Sequence, residues 1–108
     1  MGASKAERFT AEQNFIASLA KALGHPARVA IFEHLLSVEG CICDDIVSEL
    51  PLSQPTVSQH LRTLKEAGLI KGSIKRNAIC YCIEKGAIKE LQKYLSKATT
   101  KPKRSRQG

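Results

Sequence analysis

The chain has 108 residues, 43% hydrophobic, 25% charged and 5% aromatic, enough apolar material for one modest helical core and too much for a disordered chain. No run approaches the roughly eighteen consecutive apolar residues of a membrane span, and Met1 to Arg8 has no apolar signal-peptide core, so a soluble, cytoplasmic protein with no membrane partner is expected. Net charge is +7, with 17 Lys+Arg against 10 Asp+Glu.

Lys101, Lys103, Arg104 and Arg106 place +4 of that charge in the last ten residues, leaving +3 for residues 1–98. Three divisions are expected: an N-terminal extension (1–9), one folded domain (10–98) and a disordered basic tail (99–108). The tail has no apolar residue and cannot pack. It can grip phosphates non-specifically, or be a solubilising end or cloning remnant.

Thr10 and Gln13 have capping-box spacing, which predicts a helix starting near Ala11. Phe15, Leu19 and Leu23, with Ile16 and Ala20, form its apolar stripe, and Gly24 ends it. Pro26 opens a second helix at a tolerated first-turn position, with Ile31, Leu35 and Val38 at helical spacing and Gly40 as the stop. A short third helix is predicted from about Asp44 to Leu50, halted by Pro51. Ser53 is a good N-cap for a fourth, about Gln54 to Ala67, whose Val57, Leu61 and Leu64 point inward and whose stop is Gly68. Leu69 to Lys75 and Ala78 to Glu84 read as a hairpin around the tip Lys75-Arg76-Asn77. A fifth helix, about Gly86 to Ala98, presents Ile88, Leu91 and Leu95 on one side.

That order predicts a mainly α protein with a small β-hairpin: a winged helix-turn-helix of five helices plus a wing. The turn Pro51-Leu52-Ser53 has the length that sets two helices across each other. Ser53, Gln54, Thr56, Ser58, Gln59 and Arg62 cluster on the outer face of the fourth helix, near its N-terminus. Such hydrogen-bonding side chains read base edges in a major groove and also reach phosphates, and the helix N-terminus adds free N–H groups. Lys75 and Arg76 at the wing tip are placed for the flanking minor groove or backbone. A merely solvated face would mix Glu with Lys, yet no acid occurs between Leu52 and Lys65. A protein-interaction module that never meets DNA is the competing reading. No glycine-rich phosphate loop or paired carboxylates suggest an enzyme.

The stretch Leu50-Pro-Leu-Ser-Gln-Pro-Thr-Val-Ser-Gln-His-Leu-Arg-Thr-Leu-Lys-Glu-Ala-Gly-Leu-Ile70 closely resembles the signature of the ArsR/SmtB family, and Ala22-Leu-Gly-His-Pro-Ala-Arg-Val-Ala-Ile31 resembles its second-helix entry. The resemblance spans about Leu19 to Ile83. It implies a homodimeric repressor, paired through its first and last helices, that leaves double-stranded operator DNA when a metal, metalloid or redox signal arrives. Two recognition helices would then meet half-sites about one DNA turn apart. His60, inside the motif, is expected to pack or contact backbone, and His25 and His34 to be structural.

The four cysteines fall as Cys41-x-Cys43 and Cys80-x-Cys82. Without a secretory signal they are expected reduced, and no disulfide framework is predicted. In arsenic-sensing family members a Cys-x-Cys opens the third helix and another Cys follows. Here the pair stands one residue further upstream and Val47 occupies the third position. In winged helices the segment before the third helix often pairs with the second hairpin strand. That would set Cys41-Ile42-Cys43 beside Cys80-Tyr81-Cys82, with Ile42, Ile79, Tyr81 and Ile83 inward and all four sulfurs on one exposed face. Soft thiolates suit zinc, copper(I) and arsenic(III). The family resemblance makes arsenic(III) or antimony(III) the favoured inducer, ahead of a soft divalent metal. A repressor whose thiols answer oxidants or reactive sulfur without metal is the alternative, and small buried hydrophobes are the plain one.

Overall fold

The computed structural model of the chain describes residues 8–42 and 50–100. Helix α1 (Ala11–Ala22) begins with the expected reciprocal cap: the Thr10 hydroxyl accepts from the Gln13 N–H at 3.0 Å, and the Gln13 side chain accepts from the Thr10 N–H at 3.0 Å. Helix α2 (Pro26–Leu36) carries Pro26 in its first turn and is capped by His25, whose Nδ1 accepts from the Ala27 N–H at 3.0 Å. Helix α3 (Gln54–Glu66) is the fourth helix of the sequence reading. It stops in a full Schellman motif, with Leu69 N–H on the Leu64 carbonyl, Gly68 N–H on that of Lys65, and Gly68 at φ +88°, where a side chain would be strained.

Strands β1 (Ile70–Lys75) and β2 (Ala78–Ile83) pair antiparallel, Ile70 opposite Ile83 and Lys75 opposite Ala78. The loop is therefore the two residues Arg76 and Asn77, both at positive φ (49° and 68°), the twist that a tight hairpin needs. Helix α4 (Lys85–Ser96) closes the described fold and packs on α1, with a surface ion pair from Lys97 to Glu12 at 3.8 Å. Four helices thus stand among the described residues where five were predicted. The missing one, over Asp44 to Leu50, falls on residues 43–49, which lie outside the described residues.

Leu19 and Ala22 of α1, Ile31 and Leu35 of α2, Val57, Leu61 and Leu64 of α3, and Leu69, Ile70 and Ala87 form one apolar core. Burying each leucine contributes about 2–3 kcal/mol. Because three positions of α3 a turn apart are spent on that core, the remaining helix face must look outward.

The second strand has a neighbour on each side. Ile42 makes an isolated antiparallel bridge to Tyr81, exchanging both backbone hydrogen bonds at 2.9 Å. Gly72 leaves room for the Tyr81 ring, since a Cβ there would meet Tyr81 Cε1 at 3.3 Å. The expected pairing of the segment before the reading head with β2 is therefore present. Two facing assignments need correction: Ile79, expected inward, is 52% exposed, and Cys80, expected on the exposed face, is fully buried. The hairpin outruns the core towards its tip, which leaves Ile79 and its cross-strand partner Ile74 in solvent.

Candidate nucleic-acid interface and cysteine pair

Helix α3 presents the polar set that the sequence singled out. Ser53, Gln54, Ser58, Gln59 and Arg62 are exposed, and Thr56 is half-buried. Ser53 is the N-cap residue, but its hydroxyl pairs with the Thr56 hydroxyl at 3.0 Å and caps no first-turn N–H. Those amides are left for an outside acceptor, and the helix dipole favours an anionic one. The first turn carries no acid.

Lys75 and Arg76 are exposed at the wing tip, as expected. Arg76 occupies the left-handed region, which costs a non-glycine residue about 1 kcal/mol or more. Replacing it by glycine is expected to relieve that cost while weakening operator binding, with the salt dependence of log K falling by about one unit. Thermal unfolding and anisotropy titrations across a salt series read the two effects separately.

The cysteines lie where the Ile42–Tyr81 bridge puts them. One step from that hydrogen-bonded pair, Cys41 and Cys82 face each other as a non-hydrogen-bonded pair, the closest approach in an antiparallel ladder. Their Cα atoms are 4.3 Å apart and their sulfurs are joined in a disulfide. The expectation of reduced thiols is corrected by this register: compartment was the basis of that expectation, whereas strand pairing fixes the distance. Cys80 is buried and also disulfide-bonded, and Cys43 lies outside the described residues. Among the described residues no group of three or more His, Cys, Asp or Glu is placed to hold a metal ion.

Two of the three histidines meet at the junction of α2 and α3. His25 caps α2. His60 receives a hydrogen bond on Nδ1 from Arg28 at 3.2 Å and lies against the His25 ring. Burial, then the neighbouring His25 and Arg28, hold His60 below the usual histidine value. Sequence reasoning missed the part of Arg28, which no local spacing marks.

A helix-turn-helix domain model matches residues 23–72, from the end of α1 to the middle of β1. An uncharacterized HTH-type transcriptional regulator of Methanocaldococcus jannaschii is 39% identical over 79 residues, covering 71% of this chain and 86% of that protein. A cadmium resistance transcriptional regulatory protein CadC homolog of Staphylococcus aureus is 34% identical over 92 residues, 82% of this chain and 74% of that one. The fold is that of an ArsR-like transcriptional regulator from Rhodococcus sp. RHA1 (TM-score 0.73, 20% identity, 83% of this chain and 84% of that one). The chain belongs to the ArsR/SmtB family of winged helix-turn-helix transcriptional regulators. As an ArsR/SmtB regulator it is a DNA-binding protein and not an enzyme. Among its described residues no helix is long and apolar enough to cross a membrane.

Proposed function

We propose that this ArsR/SmtB regulator is a homodimeric repressor that releases its operator when a thiol-seeking agent engages the cysteines joining the segment at Ile42 to the wing. Arsenite is the favoured inducer. The observation that carries the reading is the opposition of Cys41 and Cys82 across the Ile42–Tyr81 bridge. In the reduced protein it sets two soft donors face to face, which suits arsenic(III), antimony(III) or a soft divalent ion. Cys80, two residues along β2, adds a further sulfur on that strand, and Cys43 is the fourth candidate. The name of the cadmium-resistance relative agrees with a soft-ion signal.

A ligand there ties the base of the reading head to the wing, so its binding energy acts on the relative placement of α3 and the Lys75–Arg76 tip. Both elements must fit one DNA site, and an inducer that fixes them in another arrangement costs operator affinity. Pairing through α1 and α4 is supported by Phe15 on α1 and Leu95 on α4, each large, apolar and exposed (40% and 57%) on helices that pack together.

The disulfide favours a second reading, in which oxidation of the same pair is the signal. Titration of reduced protein on a duplex from its own promoter tests both, using arsenite, cadmium and zinc in one series and a mild oxidant in another, with free thiols counted by mass spectrometry. Release by arsenite with all thiols otherwise reduced supports the first reading, and release by oxidant alone the second. If neither agent moves the operator complex, the thiol switch is wrong. Light scattering reads the dimer.

A further inference from the structure

A cluster of cationic and titratable side chains fills the junction where α1, α2 and α3 meet. Arg28, in the first turn of α2, donates from Nε to the Ala22 carbonyl at 2.6 Å and from Nη2 to the Lys21 carbonyl at 3.5 Å, both in the last turn of α1. Its Nη1 reaches His60 Nδ1 at 3.2 Å, in the middle of α3. The His25 ring lies 4.7 Å from that of His60, tilted by 44°, while His25 Nδ1 accepts the Ala27 N–H.

Arginine only donates hydrogen bonds. His60 Nδ1 must therefore be the bare, accepting nitrogen, and His25 Nδ1 likewise. Both contacts exist only while the two imidazoles are neutral. A proton on His60 Nδ1 sets N–H against N–H and a second positive charge beside the guanidinium, and a proton on His25 removes the cap of α2 as well. The groups facing His60 are His25 and Arg28, both from α2; α1 offers the guanidinium only backbone carbonyls. Lys21 of α1, a further cation, and Glu66 of α3 border the cleft on the other side of Arg28, and Glu66 makes no ion pair with it. Among the described residues no carboxylate contacts either ring: the groups against His60 are Arg28 and His25 alone.

His60 is adjacent in sequence to Gln59 and two residues from Arg62, so the bond that fixes it also fixes how those side chains are offered. We infer that the Arg28–His60–His25 junction positions the reading helix by a proton-dependent contact: neutral, it holds α3 against α1 and α2 in the DNA-reading arrangement, and protonation lets α3 go. This rests on α3 being the DNA-facing helix. The depressed titration of His60 agrees in direction, since a folded state that disfavours the proton loses stability as pH falls below the ordinary histidine value.

The sign separates this from simple charge. Extra positive charge on a DNA-binding protein strengthens phosphate binding, whereas a released α3 weakens sequence-specific binding. Anisotropy titrations of the reduced, full-length protein on its promoter duplex and on an unrelated duplex, from pH 7.5 to 5.5 at constant salt, give the test. Operator affinity is expected to fall about tenfold or more, while binding to the unrelated duplex holds or rises. His60→Gln combined with His25→Asn keeps acceptors that do not titrate and is expected to flatten the profile whatever its absolute affinity. His34→Gln, away from the junction, is expected to keep it. Should the double variant fail to fold, NMR titration of the wild-type imidazoles decides instead, since the midpoint of release must follow His60 or His25 and not His34. Wild-type operator affinity that stays level or rises on acidification overturns the inference, as does a release that persists in the folded double variant. Failure to bind the promoter duplex selectively even at pH 7.5 defeats the DNA-reading assignment of α3 itself, and this inference with it.

Discussion

Reduction of the Cys41–Cys82 bond is expected to lower the unfolding free energy by about 4 kcal/mol, the loop-closure entropy of a cross-link between residues 41 apart in sequence. Cys80 is disulfide-bonded too, so a reductant opens that link along with this one. Urea unfolding with and without a phosphine reads the difference directly. Cys41→Ser with Cys43→Ser then separates stability from sensing. The reduced variant is expected to bind operator within about threefold of reduced wild type, a difference below 1 kcal/mol. Neither arsenite nor oxidant should release it, because no sulfur remains on the Ile42 side to face β2. A variant that is still released shows the signal to be received elsewhere. Loss of affinity before any inducer is added shows the thiols to be structural.

Gln59→Ala and Arg62→Ala should each cost about 1–3 kcal/mol at particular base pairs, roughly 5- to 150-fold in affinity. Both side chains are exposed on α3 and have the donors and acceptors to bond base edges two at a time, Arg to guanine and Gln to adenine. Competition against operators substituted one pair at a time distinguishes the two kinds of contact. A reader of bases loses its preference at one position. A phosphate contact loses affinity evenly on every sequence, and the salt slope drops with it. An even loss for both variants would move sequence recognition to other side chains of α3 or to the wing.

What the sequence made legible was mostly local. The Thr10–Gln13 cap, Pro26 in a first turn and the Gly68 stop each depend on residues within one turn of one another, and each stands in the structure. The Val57, Leu61 and Leu64 stripe followed from helical period alone. Pairing of Ile42 with β2 was also foreseen, because topology and alternation constrain it. The bond between Cys41 and Cys82 was not: an argument from compartment carries no distance, and only the register brings the two Cα atoms to 4.3 Å. Nor was the junction at Arg28. Its contact with His60 spans 32 residues and is made by side-chain atoms whose directions depend on how three helices cross. Val38 shows the limit of periodicity: it continues the spacing of α2, but the helix ends at Leu36 and Val38 is exposed.

The span closed by Cys41 and Cys82 contains α3, β1 and the whole wing tip, while α1 and α4 lie outside it. Opening or closing that link therefore perturbs the part of the chain proposed to meet DNA and leaves alone the two helices proposed to hold the subunits together. Such a repressor would let go of its operator as an intact pair and return without waiting for subunits to find each other. Recovery after the stimulus would then be limited by dimers finding the operator, first order in dimer, with no second-order assembly step before it.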